Sequence, residues 1–188
     1  ETQLKLKEQE LNYLKMQIHP HFLFNTLNTM YGFALKKADE TPEMILKLSN
    51  LLDYLLYQVD KPYVLLKDDI NHIEDYIAIE KMRFNETLDI SFNIENIPEN
   101  AQIAPMLLLP FVENSFKHGE IKNGLLMINI HLTCVENSIH FSIENTSSSS
   151  NKSSKGIGLE NLHKRLSLLY KDRYEIKIIN ENNIFKVN

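Results

Sequence analysis

The sequence predicts an α+β protein in two parts: an antiparallel helical hairpin, then a mixed set of strands and helices. Three observations predict it. Apolar residues recur at helical spacing from Leu4 to Leu56, alternating apolar runs begin only at Leu88, and Lys61-Pro62 separates the two regimes. A chain of 188 residues accommodates a small helical module plus a second domain of about 120 residues.

The first part opens with a helix from Leu4 to about Lys37. Leu4, Leu11 and Ile18 recur every seven residues with Leu14 between them, a short coiled-coil-like seam. Leu23, Leu27, Met30 and Ala34 continue an apolar stripe. Pro20 breaks the rule against proline inside a helix, and violations of that kind mark functional sites. Thr41-Pro42-Glu43 reads as a cap with proline at the first helical position. Ile45, Leu48, Leu51, Leu52, Leu55 and Leu56 then give a second amphipathic helix. A short connection makes the pair an antiparallel hairpin. A lone hairpin leaves its stripes wet, so pairing into a dimeric four-helix bundle is expected.

In the second part, Leu66-Lys67-Asp68-Asp69 starts a third helix, to about Arg83. Leu88, Ile90, Phe92 and Ile94 share one face of a strand. Pro105 and Pro110 bracket an apolar run, and a helix is expected to start near Pro110. Leu125–Val135 and Ser138–Asn145 read as a strand pair turning near Glu136-Asn137. Thr146–Lys155 is nearly all Ser, Asn and Lys and reads as a mobile lid between ordered segments. Gly156-Ile-Gly-Leu opens a helix to about Tyr170, followed by strands Tyr174–Ile179 and Ile184–Val187. The expected division is therefore 1–61 and 62–188. Both ends read as cut, the second domain being truncated at its C-terminus, so the chain reads as a piece of a longer protein.

Composition excludes several classes. Lys plus Arg is 20 and Asp plus Glu is 25, a net charge of -5, and no basic stripe stands ready for a phosphate backbone. A single cysteine, Cys134, allows no internal disulfide or cysteine-rich zinc site. Its apolar alternating run makes it a buried structural thiol. No run approaches the ~20 apolar residues of a membrane span, and no signal peptide opens the chain.

Three segments carry chemistry. In Gln17-Ile-His-Pro-His-Phe-Leu-Phe-Asn-Thr-Leu-Asn28, a helix puts Gln17, His21, Asn25 and Asn28 on one face. His19 falls about 200° away from His21, and no partner sits one turn off to complete a zinc site. By spacing alone, a surface histidine is the simpler reading of His21. In Pro110-Phe-Val-Glu-Asn-Ser-Phe-Lys-His-Gly119, Val112 and Phe116 face the core, Asn114, Lys117 and His118 face away, and Glu113 stands at the edge. An amide oxygen can ligate Mg²⁺, and Lys or His can meet phosphate; a solvated face capped by Gly119 reads equally well. In Lys155-Gly-Ile-Gly-Leu-Glu-Asn161, two glycines let backbone approach phosphate at a helix start. An ordinary turn explains them equally, and the Walker spacing is missing.

In this order, His19-Pro-His-Phe-Leu-Phe-Asn-Thr-Leu-Asn28, Pro110–Gly119 and Gly156-Ile-Gly-Leu-Glu-Asn-Leu-His-Lys-Arg-Leu166 resemble the LytS/YehU type of bacterial sensor histidine kinase. Tyr76-Ile-Ala-Ile-Glu-Lys-Met-Arg-Phe84 extends the resemblance between the sites. The second motif is similar to the asparagine box of Bergerat-fold ATPases and the third to their later glycine box. The resemblance implies a dimerisation and phosphoacceptor hairpin, then a Bergerat-type α/β two-layer sandwich that binds ATP with Mg²⁺. It makes His21 the phosphoacceptor and Asn114 the Mg²⁺ ligand. Lys117 and His118 become phosphate contacts, and Gly156 and Gly158 the lid and phosphate loop. Glu113 and Asn25 become candidates for orienting the catalytic groups. Asn161 and Arg165 belong to the motif, as nucleotide contacts or as structural residues, and Arg83 reads as a packing or ion-pair residue.

Two departures matter. Related ATPases end a strand in Asp-x-Gly-x-Gly, whose aspartate reads the adenine amine. Here Ile139, Phe141, Ile143 and Asn145 share a face, so Asn145 takes that position and Ser147 and Ser149 replace the glycines. An asparagine carbonyl still accepts, without the charge that makes such a bond about twice as strong. Many histidine kinases also place an acid after the histidine; here it is Phe22, which leaves the proton acceptor open. The resemblance further implies a homodimer, a response-regulator receiver domain as partner, and no nucleic acid. Membrane attachment would come only through segments outside this chain, the cytoplasmic portion of an inner-membrane sensor. The alternative reading is a catalytically weak or inactive kinase-like module that dimerises and binds partners.

Overall fold

In the computed structural model, the structure describes residues 20–57, 61–147, 157–171, 173–181 and 184–188; the side chains of residues 20, 21, 55, 157–160 and 181 are not described. The heptad seam of Leu4, Leu11, Leu14 and Ile18, with Gln17 and His19, lies outside the described residues. So do Ser149, Gly156 and most of the expected lid.

The α+β class is the one observed. Helices α1 (Pro20–Leu35) and α2 (Thr41–Tyr57) form the hairpin. Thr41 does not cap α2 through an N–H; its hydroxyl donates back to the Ala38 carbonyl. Met44, Leu48, Leu51 and Tyr54 are buried, whereas Ile45 and Leu56 are exposed. Strand β1 (Val64–Leu65) leads directly into α3 (Leu66–Phe84), whose first turn carries Asp68 and Asp69 and whose last carries Lys81 and Arg83. That placement matches the helix dipole at both ends. Strand β2 (Leu88–Glu95) follows a 3₁₀ turn at Asn85–Thr87.

Strand β3 (Gln102–Ile103) pairs antiparallel with β1, a two-stranded ribbon absent from the sequence reading. Helix α4 (Leu109–His118) starts with Pro110 in its first turn, where the missing N–H costs nothing. Strands β4 (Leu126–Val135) and β5 (Ser138–Thr146) are antiparallel, with Glu136 in the left-handed region at the turn. Helix α5 (Ile157–Tyr170) and strands β6 (Ile178–Glu181) and β7 (Ile184–Val187) complete the chain.

Strand β6 starts later than Tyr174. The Tyr174 hydroxyl lies 2.7 Å from Ser167 Oγ and its ring meets His163 edge-on, which holds that segment on α5. Thr146, expected to open the lid, instead ends β5, and Ser147 beyond it is buried.

The five-stranded sheet runs β2-β4-β5-β7-β6, parallel between β2 and β4 and antiparallel elsewhere. Leu126, Ile128, Ile130 and Leu132 of β4 are buried beneath the helices, while Met127 on the other face is exposed. Glu144 accepts from Asn129 and pairs with Lys186 on that outer face. Helices therefore cover one face of a mixed sheet, as expected. Cys134 is half-buried rather than buried, and burial still raises its thiol pKa. Hairpin and sheet domain share one apolar core, because Met44, Leu48, Leu51 and Tyr54 join Ile70, Ile73 and Ile77 in it. Among the described residues no helix is long and apolar enough to cross a membrane.

Candidate nucleotide and phosphoacceptor site

Strand β5 turns Ile139, Phe141, Ile143 and Asn145 toward the helices, as the two-residue period requires. Asn145 is 3% exposed, in register with Ile128 on one side and Phe185 on the other. Its Nδ2 donates to the Thr146 carbonyl at 3.0 Å, which fixes the amide orientation. Its Oδ1 is buried and accepts no hydrogen bond among the described residues. A buried acceptor left unmade costs about 1–3 kcal/mol, so the position is ready for an added donor.

Helix α4 ends beside it. Gly119 is not a left-handed cap, since its φ is -67°. Glycine is needed there for space: a Cβ would lie 2.4 Å from the Ser115 carbonyl oxygen, 2.5 Å from Leu126 Cδ1 and 3.3 Å from Asn145 Nδ2. The close approach brings the end of the asparagine motif against Asn145. Val112 and Phe116 are buried as expected, and Ser115 with them; Asn114 is half-buried, and Lys117 and His118 are exposed. Burial, and then the Lys117 charge, lower the His118 pKa and favour its neutral ring.

Glu113 stands at the inner edge of α4. Burial, and next the charge of Glu80, push its carboxyl up to about 8, against a smaller pull from Lys117. Sequence reasoning missed Glu80, which is 1% exposed and lies 2.5 Å from the Arg83 guanidinium. Burial still raises Glu80 to about 6. Its signal was present in the Tyr76–Phe84 segment, where Tyr76, Glu80 and Arg83 follow at four and three residues on one helical face. Arg83 is thus an ion-pair residue, with its guanidinium also over the Phe84 ring.

His21 lies in the first turn of α1; its side chain is not described. Its neighbour Phe22 packs on Tyr76 with ring centroids 4.7 Å apart, and Tyr76 meets Phe116 of α4 edge-on at 5.7 Å. Asn25 is half-buried, and its carbonyl accepts from Thr29.

Gly158 falls within the first turn of α5. Asn161 is half-buried on the same helix. Arg165 is 4% exposed and turns inward, donating to the carbonyls of Met106, at 2.9 Å, and Pro105. Met106 has φ 59°, a conformation uncommon for a residue with a side chain. Its N–H donates to Asp69 Oδ1 at 3.0 Å. Arg165 and Asp69 therefore clamp the loop that precedes α4 from both sides. Sequence reasoning missed Asp69, which counted only as a first-turn charge; it is buried, and burial raises its pKa.

Comparisons with known proteins agree with the motifs. The family model described as Histidine kinase matches residues 9–88. The sensor protein kinase HptS of Staphylococcus aureus strain bovine RF122 / ET3-1 is 27% identical over 197 residues, covering 97% of this chain and 38% of that protein. HptS of strain USA300 is 27% identical over 196 residues with the same coverage. The chain thus spans about two fifths of the length of these relatives. A solved structure described as a bacterial phosphotransferase aligns with a TM-score of 0.51 at 11% identity, covering 96% of each chain, a likeness of fold. These matches bear out the resemblance to sensor histidine kinases that the ordered motifs carry.

Proposed function

We propose that this chain is the phosphotransfer core of a sensor histidine kinase, in which residues 1–61 present His21 and residues 62–188 bind Mg²⁺ and ATP. The observation that carries the reading is Asn145. A buried carbonyl oxygen with no donor among the described residues, at the end of the helix that bears Asn114, suits the exocyclic amine of adenine. Asn114 would hold Mg²⁺ through its amide oxygen, and Lys117 and His118 would meet phosphate oxygens. Gly156, Gly158 and Asn161 would line the phosphate loop. Arg165 supports the site by clamping the Pro105–Met106 turn ahead of α4.

The protein supplies position and charge rather than covalent chemistry of its own. A ring nitrogen of neutral His21 attacks the γ-phosphorus of the bound nucleotide. The P–N bond forms as the bond to the bridging oxygen breaks, ADP leaves and the ring sheds its proton. A histidine near pKa 6.5 is mostly neutral at pH 7. Asn25, one turn on, orients the ring, and Glu113 orients groups at the nucleotide. An aspartate of a response-regulator receiver domain then takes the phosphoryl group and returns His21 to its starting form.

The working unit is a homodimer. Phe24, Leu27, Tyr31 and Leu35 form an exposed stripe on one face of α1, and Ile45 and Leu56 are exposed on α2. Such stripes are covered in a four-helix bundle. The whole protein would hold this core on the cytoplasmic side of a membrane through other segments.

Incubation with γ-labelled ATP tests the reading. Acid-labile, alkali-stable label that disappears in His21→Gln is the expected result. Absence of both label and nucleotide binding at millimolar ATP would overturn the reading and leave a kinase-like binding module.

A further inference from the structure

The hairpin lies along α3 of its own chain. Lys47 of α2 donates to Asp75 at 3.2 Å, Tyr54 stacks on His72 with centroids 3.7 Å apart, and Tyr54 donates to Asp69. At Tyr76, the residue after Asp75, the contact passes through aromatic rings. Phe22 packs on Tyr76, Tyr76 is 3% exposed, and its ring meets Phe116 edge-on, with Phe84 also 5.8 Å from Phe116. Phe22 follows His21, and Phe116 is two residues beyond Asn114. Three rings from three helices therefore span the distance between the phosphoacceptor segment and the nucleotide helix, within one subunit. Rings are rigid planes that pack with preferred offsets, so the stack defines a spacing between the helices.

We infer that His21 is phosphorylated by the nucleotide domain of its own subunit, and that Tyr76 and Phe22 are positioning residues that seat the phosphoacceptor helix against the helix bearing Asn114. The inference rests on the kinase reading above and adds which subunit acts and what holds it there. The aromatic contact also accounts for Phe22 where many kinases place an acid: that position is committed to packing.

Two measurements on the full-length protein test it. In mixed dimers of His21→Gln and Asn114→Ala chains carrying tags of different size, transfer within a subunit leaves both chains unlabelled by γ-labelled ATP, because alanine offers Mg²⁺ no oxygen. Label on the Asn114→Ala chain would overturn the inference. In the second measurement, Phe22→Leu is expected to slow labelling at saturating ATP about tenfold or more, since misplacement by about 1 Å can cost a hundredfold. Its nucleotide Kd should stay at the wild-type value while Tm falls only by the few degrees that the lost ring contact explains, and Phe22→Tyr, which keeps the ring, should restore the rate. Wild-type labelling rates in Phe22→Leu at saturating ATP would remove the positioning role. A wild-type protein that takes no label would overturn the kinase reading itself, and this inference with it.

Discussion

The Tyr54 hydroxyl lies 2.5 Å from Asp69 Oδ1, the oxygen that also receives the Met106 N–H. One carboxylate oxygen thus joins the second hairpin helix, the first helix of the sheet domain and the loop before α4. Arg165 reaches the same loop from α5. Burial raises the Asp69 pKa, while Tyr54, Met106 and Arg165 all favour its charged form. Tyr54→Phe removes one donor and leaves buried Asp69 less satisfied, which should cost about 1–3 kcal/mol. Asp69→Ala strands the Tyr54 hydroxyl and the Met106 N–H at once and should cost more, about 3–5 kcal/mol. Urea unfolding followed by circular dichroism checks both, and equal stability of Tyr54→Phe and wild type would show that the bond contributes nothing net.

Gly119→Ala should destabilise the protein by about 1–3 kcal/mol, the usual cost of overpacking. Its φ of -67° suits alanine, so the backbone conformation is not the obstacle. The obstacles are the Ser115 carbonyl and Leu126, both within 2.5 Å of the added carbon. Because Asn145 is the next neighbour at 3.3 Å, nucleotide affinity should fall along with Tm. A variant with unchanged Tm and unchanged binding would show that α4 shifts freely, against the close packing at its end.

Much of this arrangement was legible in the sequence because periodicity reports burial on one face. The alternation through Ile139, Phe141 and Ile143 placed Asn145 inward, and the helical spacing of Val112 and Phe116 oriented α4. Pattern could not find Asp69 or Tyr54, since each is polar in sequence and their mutual contact and the Met106 N–H come from elsewhere in the chain. Asp69 looks like a dipole charge until Met106, 37 residues later, points an N–H at it. Ile45 and Leu56 failed in the opposite sense: they belong to an apolar stripe, yet both are exposed. Gly119 reads as a cap by position, and only the approach of Leu126 from β4 shows that it serves clearance.

Asn145→Asp should raise nucleotide affinity and lower the stability of the nucleotide-free protein. The carboxylate would accept from the adenine amine with a charge-assisted bond, about twice as strong as the neutral one, which corresponds to a gain of up to about tenfold in Kd. Without nucleotide the same charge would sit buried against the Thr146 carbonyl, an acceptor that repels it. Calorimetric titration with a non-hydrolysable ATP analogue and a melting curve of the free protein read the two signs separately. Weaker binding by the aspartate variant would mean that Oδ1 faces something other than a donor.

Glu113 sets the final expectation, through pH. Its carboxyl is raised from an ordinary value near 4.5 to about 8, chiefly by burial and then by Glu80. Between those values the folded protein holds a proton that the unfolded chain has released. Linkage then makes stability fall as pH rises through that window. The contribution is fully present below about 4.5 and is lost as pH passes about 8. Glu80, raised to about 6, adds a decline over the lower part of the window. Glu113→Gln removes the larger titration while keeping shape, so its stability should vary less between pH 5 and pH 8. Screening at a half-buried side chain keeps the difference at pH 8 to about 1–2 kcal/mol, or about 2–8 °C in Tm. Parallel pH–Tm curves for the two proteins would show that Glu113 is charged throughout, which would require a cation closer to it than Lys117.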